Sequence, residues 1–178
     1  PIPELAITYV EITNPNQEVG TKNLGYTLKL RGSQGGDQEI AGTTYIYPGE
    51  AKSLVLIESA RDFSGTVNAS LELATSSIQY LPRALFEKPQ LRVRDSVTTM
   101  TQEDGIRVVG TVVNDDPLTL SEVTVIALFY DGQRVLRGVS QTVIPQITAG
   151  VSESFSIAYP AIAIDPGSTR LIVTGERP

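Results

Sequence analysis

The chain has 178 residues, enough for one large domain or two small ones, and a composition of 40% apolar and 19% charged residues indicates a globular fold. It contains neither Cys nor His, which excludes disulfides, zinc–thiolate clusters and the His-dependent triads of many hydrolases. The net charge is −6, from 14 basic and 20 acidic residues without a Lys/Arg run, so we expect no binding to nucleic acid or to anionic membrane surfaces.

Apolar and polar residues alternate along most of the first half, which is the pattern of half-buried strands. The turn signals Asn14-Pro15-Asn16, Gly35-Gly36-Asp37 and Pro48-Gly49-Glu50 separate these segments. The predicted strands are Glu4–Thr13, Leu24–Arg31, Glu39–Tyr47, Lys52–Glu58 and Val67–Leu73. Alternation stops in a linker at residues 76–89, where Leu81, Leu85 and Phe86 predict a segment that packs against a domain.

The second half shows the same alternation, and no window of 12 residues carries a helical period. Asp131-Gly132 predicts a hairpin, and Asp165-Pro166-Gly167 predicts a later turn. The predicted strands are Gln90–Thr101, a strand that ends at Asn114, Glu122–Tyr130, Arg134–Val143, Ser152–Tyr159 and a strand around Leu171–Val173.

The two halves match in the order, length and turn chemistry of their strands, so the sequence contains an internal repeat of about 90 residues. We therefore predict an all-β protein of two tandem Ig-like antiparallel β-sandwich domains, at residues 1–75 and 90–178. The first half has no counterpart of Gln90–Thr101. Its first strand is missing, cut away or contributed from elsewhere, and Ile78–Leu81 is one candidate substitute.

Three pairs of residues have both a functional and a structural interpretation. Asn14 and Asn114 end equivalent strands, either as ligand contacts or, as we favour, as turn residues. Tyr45 and Tyr47 could stack on a sugar or peptide, or cover the core rim. The adjacent carboxylates of Asp115 and Asp116 are a candidate calcium site, although such a pair more often marks a solvated turn. No catalytic residue and no cofactor is predicted.

The order of the strands also predicts which loops lie near the domain junction. If the strands alternate in direction, one group of loops in each half shares an end with the linker. The residues predicted at this junction are Asn16, Pro48, Gly49, Asp115, Asp116, Ile147, Leu81 and Phe86.

Five stretches resemble a known family: Ile12–Asn16, Gly20–Tyr26, Thr44–Glu50, Val109–Asn114 and Val123–Asp131. They are similar to the tandem FxLYD-type, LEA-like β-sandwich regions of bacterial cell-envelope proteins, many from candidate-phylum genomes. Ala127 and Phe129 stand where the motif has Phe and Leu, while Tyr130-Asp131 is retained. The resemblance implies a β-sandwich fold and an extracytoplasmic location, commonly with a membrane anchor, and implies no reaction.

We therefore expect a non-enzymatic, extracytoplasmic structural or interaction module that acts as a spacer or docking scaffold. The alternative is a binding module for an envelope carbohydrate or for the extended β-strand of a protein partner. An enzyme that uses carboxylates alone, or a metal ion held by carboxylates, is a third and less favoured hypothesis. Because the chain starts at Pro1 without Met, we expect it to be a fragment or a processed form, with any membrane anchor upstream.

Overall fold

A computed structural model describes residues 5–59, 63, 66–76, 78–101, 105–160 and 165–178. Within these ranges the chain forms antiparallel sheets and one 3₁₀ turn, so the predicted all-β fold is confirmed. Contacts between residues divide the chain into two compact units, Pro1–Glu87 and Lys88–Pro178.

The described residues of the first unit form two antiparallel sheets that enclose an apolar core. The strands are β1 (Leu5–Thr13), β2 (Val19–Gly32), β3 (Asp37–Ile46), β4 (Ala51–Ser59), β5 (Val67–Ala74) and β6 (Leu81–Pro82). One sheet pairs β1 with β4, and the other has the order β3-β2-β5, with β6 paired to the start of β2. Ile12, Leu24 and Ile46 form a buried cluster between the sheets, and Ile78 packs against it from the segment before β6.

The described elements of the second unit are β7 (Leu91–Thr101), β8 (Gly105–Asn114), β9 (Leu120–Tyr130), β10 (Leu136–Ile147), β11 (Ser152–Tyr159), a 3₁₀ turn (Pro166–Ser168) and β12 (Arg170–Glu176). The strands form two three-stranded sheets, in the orders β11-β8-β7 and β10-β9-β12. A larger core lies between them, in which Ile106, Val108, Val125 and Leu120 are completely buried.

Three strand pairings of the first unit recur in the second unit. β1 pairs with β4 as β8 pairs with β11, and β2 lies between β3 and β5 as β9 lies between β10 and β12. The cross-strand pair Val10–Leu54 corresponds to Gly110–Phe155. A Cβ on Gly110 would lie 2.9 Å from the Phe155 ring, so a smaller residue on one strand accompanies a larger residue on the other.

β7 has no counterpart among the described residues of the first unit. The candidate substitute, Ile78–Leu81, is wrong: Ile78 packs into the core, and Leu81–Pro82 pair with Val19–Gly20 of β2, not with β1. A two-residue strand fits here because Pro82 cannot donate a backbone hydrogen bond to continue a ladder.

Candidate functional site

Asn14 holds the turn that follows β1. Its side-chain amide donates hydrogen bonds to the carbonyl oxygens of Val19 (2.8 Å) and Tyr47 (3.0 Å). Its Oδ1 accepts a hydrogen bond from the backbone N–H of Asn16 at 3.1 Å. Both polar ends of the side chain therefore hold the loops of the first unit together.

Asn114 does the same in the second unit, where it is completely buried. Its amide donates to the carbonyl oxygens of Leu118 (2.8 Å) and Ile147 (3.0 Å), and its Oδ1 accepts from the N–H of Asp116 (3.0 Å). The interpretation of both asparagines as turn residues is confirmed. Because Asn14 and Asn114 make equivalent hydrogen bonds, matching residues of β1 and β8 lie 100 positions apart in the sequence.

Asp116 is buried and joins three parts of the second unit. Its carboxylate accepts hydrogen bonds from the backbone N–H of Gln90 (3.2 Å) and of Leu118 (3.1 Å), and from Arg177 Nη2 (2.6 Å). Burial by itself raises the pKa of Asp116, but the Arg177 guanidinium and the two N–H donors outweigh burial and hold the pKa below its ordinary value.

Asp115 lies on the exposed side of the same loop and faces a different arginine. Arg92 Nη2 donates to Asp115 Oδ1 at 2.8 Å, and Arg92 Nε donates to Oδ2. This bidentate pair lowers the pKa of Asp115. The candidate calcium ligands Asp115 and Asp116 are thus each bonded to a separate arginine. Within the described ranges, the acidic side chains form no group of three or more that could hold a metal ion.

The two tyrosines singled out in the sequence differ in exposure. Tyr47 is completely buried and stacks on Phe86, with ring centroids 4.3 Å apart. Tyr45 is half-buried, and Lys52 Nζ lies 3.1 Å from its ring centroid. Only Tyr45 therefore reaches the surface, and Tyr47 is a core residue rather than a contact surface for a ligand.

The residues predicted at the domain junction each make contacts within their own unit. In the first unit, Gly49 N–H donates to the Asn16 carbonyl oxygen (2.8 Å), and a Cβ on Gly20 would lie 2.9 Å from Pro48 and 3.1 Å from Phe86. These loops therefore share an end with the segment that contains β6.

In the second unit, the loop that contains Asp115 and Asp116 lies beside Gln90, near the start of that unit. Asp115 N–H donates to the Gln90 carbonyl oxygen at 2.9 Å, and Ile147 is completely buried nearby. That the loops of the two units face each other stays a prediction.

Charged side chains on the outer face of the sheet β3-β2-β5 line a groove of about 340 Å³. Lys29 Nζ lies 2.7 Å from Glu72, and Arg31 Nε lies 3.0 Å from Asp37. The hydrogen bond to Glu72 is the main cause that raises the pKa of Lys29. These exposed pairs join neighbouring strands, and each stabilises the sheet only weakly.

One edge of β1, called here the free edge, has no partner strand in the described part of the first unit. Among the described residues β1 pairs with β4 alone, whereas its equivalent β8 pairs with both β11 and β7. The register of β1 on β4 runs without a break from Leu5 to Thr13, and this strand contains no Pro, Lys or Arg. Edge strands are commonly protected by bulges, lysines or prolines, and β1 shows none of these.

A groove of about 390 Å³ lies next to this edge. It is lined by Leu5–Tyr9 of β1 and by Val67 and Ala69 of β5. Ala69 and Leu73 are on the core-facing side of β5, yet both are exposed. In the second unit β7 pairs with β8 and contacts β12, the equivalents of β1 and β5. The groove is therefore the place that a counterpart of β7 would fill.

The sequence did not indicate the groove, because the groove depends on the approach of β1 to β5, about 60 residues later in the chain. The only signal available was the lack of a counterpart to Gln90–Thr101.

No protein-family model matches this chain, and the comparison with curated proteins gives no match. The described part of the structure contains no helix long and apolar enough to cross a membrane.

Proposed function

We propose that this chain is a non-enzymatic, extracytoplasmic docking module of a bacterial cell-envelope protein, and that its first unit binds partners through the free edge of β1. The observation that carries the docking function is the unprotected edge of β1 beside the groove lined by Val67 and Ala69. An exposed strand edge offers a row of backbone donors and acceptors, which is the surface used when an extended peptide adds to a sheet.

The polar residues with the most distinctive chemistry support a structural role for the rest of the chain. Asn14 and Asn114 hold turns, and Asp115 and Asp116 each bind an arginine. Two units with the same strand pairing suit a spacer that presents one binding edge. The envelope location is proposed from the resemblance to FxLYD-type regions.

A carbohydrate-binding function is a weaker proposal. It needs neighbouring aromatic rings at the surface, and of the pair Tyr45 and Tyr47 the second is in the core. The strand-binding function has a groove and a free edge in its favour.

Selection of phage-displayed dodecapeptides on the intact chain tests the docking function. We expect the selected peptides to alternate apolar and polar residues, and to lose binding to Ala69→Glu, which places a carboxylate in the groove. The matched control is Ser70→Glu, on the opposite face of β5 beside Lys29, which should still bind. Selected peptides that bind both variants equally would contradict the proposal.

Location is tested separately by fractionating cells that produce the protein and treating the intact cells with protease. We expect the chain in the envelope fraction, open to cleavage from outside. A protected, cytosolic chain would contradict the envelope location without affecting the docking function.

A further inference from the structure

Building on the docking function proposed above, we infer that the groove beside β1 takes an extended segment of a separate protein chain with the chemistry of β7. The segment lies antiparallel to β1, turns apolar side chains toward the core and places a basic residue opposite Glu11. The second unit supplies the template, because there β7 occupies the equivalent place beside β8.

The register of β7 on β8 specifies how such a segment would lie. Matching residues of β1 and β8 are 100 positions apart, as Asn14 and Asn114 show. Transferring the pairing of β7 to β1 places the equivalents of Leu91, Val93, Arg94, Val97 and Met100 opposite Asn14, Ile12, Glu11, Tyr9 and Ala6.

The floor of the groove is lined by smaller side chains than the equivalent place in the second unit. The core-facing residues Ala6 and Thr8 of β1 replace Ile106 and Val108 of β8, which are completely buried. Protein interiors are closely packed, so the bound segment should carry larger apolar side chains near Ala6 and Thr8 than β7 carries at Thr98. A segment with Leu at that position is therefore expected to bind more tightly than β7 itself.

Charge favours a basic partner segment over a second copy of this chain. Glu11 is exposed on β1, and the transferred register places the equivalent of Arg94 directly across from it. Opposite charges in directly facing positions stabilise antiparallel strand pairs. A second copy would present its own β1, which has no Lys or Arg, on a molecule that also carries a net charge of −6.

The edge itself also distinguishes the two units. In the second unit the outer edge belongs to β7, which has a bulge between Arg94 and Val97 and a positive φ of 52° at Asp95. Such a bulge twists an edge away from further pairing. The regular edge of β1 lacks this protection, so a partner segment would find it ready for pairing over nine residues.

The test uses a synthetic peptide with the sequence of residues 90–101, titrated into the intact chain and followed by fluorescence anisotropy and by hydrogen exchange with mass spectrometry. We expect one peptide per chain and slower exchange in residues 5–13. Ala69→Glu should weaken binding about tenfold or more, because it places an unpaired charge in the groove, and Ser70→Glu should bind as the unmodified chain does. A peptide with Thr98→Leu should bind more tightly.

The register is tested by exchanging charges. Glu11→Arg should weaken binding of the peptide about threefold, the range expected for one facing ion pair, and Arg94→Glu in the peptide should restore binding to the Glu11→Arg chain. Equal binding by all four combinations would overturn the register.

Other results would overturn the proposal as a whole. One is an absence of binding up to about 1 mM peptide. Another is protection of β8 instead of β1, which would mean exchange with the chain's own β7. A third is a stable dimer in light scattering whose β1 amides are protected without peptide. If phage-selected peptides bind the groove and the β7 peptide does not, this inference fails and the docking function stands.

Discussion

A single asparagine at the end of equivalent strands holds several loops in each unit. The amide of Asn114 binds two backbone carbonyls and one N–H in a completely buried site, and Asn14 makes the equivalent bonds in a half-buried site. A buried polar group that loses its partner costs more free energy than an exposed one, because water cannot replace the lost hydrogen bond. The asparagine side chain should therefore contribute more to the free energy of unfolding in the second unit than in the first.

Replacing each asparagine with aspartate tests this difference, because the shape is kept while the two N–H donors are lost. We expect Asn114→Asp to lower the free energy of unfolding of the second unit by about 3 kcal/mol. Asn14→Asp should cost the first unit about 1 kcal/mol. Urea unfolding at pH 7 measures both, with Asn68→Asp on the exposed face of β5 as the control. Equal losses at the two sites would contradict this account.

The pair of Asp116 with Arg177 makes the second unit sensitive to acid. The folded-state pKa of Asp116 lies below its unfolded value, so the carboxylate stabilises the fold above the unfolded pKa, about 3.9, and this contribution is lost as pH falls through the folded pKa. We expect the Tm of the second unit to fall between pH 5 and pH 2.

The control variant Asp116→Asn separates this carboxylate from the others. It should lower the Tm at pH 7, because Arg177 loses its charged partner, and it should reduce the fall in Tm on acidification. Some fall should remain, since Asp115 and Asp131 also have lowered pKa values. A variant with an undiminished fall between pH 5 and pH 2 would show that Asp116 is not a source of the acid sensitivity.

At the scale of elements, the segment around β6 is part of the first unit. Leu81–Pro82 pair with β2, and Phe86 is buried on Tyr47. The sequence predicted a packed segment from Leu81, Leu85 and Phe86, and the structure assigns the packing to Phe86, since Leu85 is 77% exposed. The buried Phe86 and its exposed neighbour Leu85 are therefore a matched pair of positions for mutation.

Phe86→Ala should destabilise the first unit by about 3–5 kcal/mol, because it removes a buried ring and leaves a cavity beside Tyr47. Leu85→Ala should change stability by less than about 0.5 kcal/mol. Hydrogen exchange in the intact chain reports each unit separately, and exchange in β8 and β9 should not change. Equal effects of the two substitutions would contradict the assignment of the packing to Phe86.

Strands were predictable wherever their side chains alternate, and the prediction failed where a bulge or a proline interrupts alternation. β2 begins at Val19 and not at Leu24, because its register on β3 shifts between Thr21 and Leu24. β10 continues through Pro145 to Ile147, which an edge strand allows because one side of its backbone needs no partner. These shifts disguise the period of two that the sequence otherwise shows.

The candidate site was predictable only in part. The repeat indicated that one strand had no counterpart, because order and turn chemistry are local properties. The burial of Tyr47 and the groove between β1 and β5 depend on contacts between distant segments, and no alternation pattern specifies them.

At the scale of the whole molecule, the two units share one pattern of strand pairing and differ in completeness. The second unit encloses its core between two three-stranded sheets, whereas the first unit pairs β1 with β4 alone among the described residues and leaves Ala69 and Leu73 exposed. The free edge of β1 is therefore the feature on which the docking function and its partner both depend.

Amide hydrogen exchange of the intact, unbound chain, followed residue by residue with NMR, tests this feature most directly. An amide bonded to a neighbouring strand exchanges slowly, and one that faces solvent exchanges quickly. We expect slow exchange along the whole of β8, and fast amides that alternate with slow amides along β1. Uniform protection of β1 at the level of β8 would show that its edge is already covered and would contradict the account.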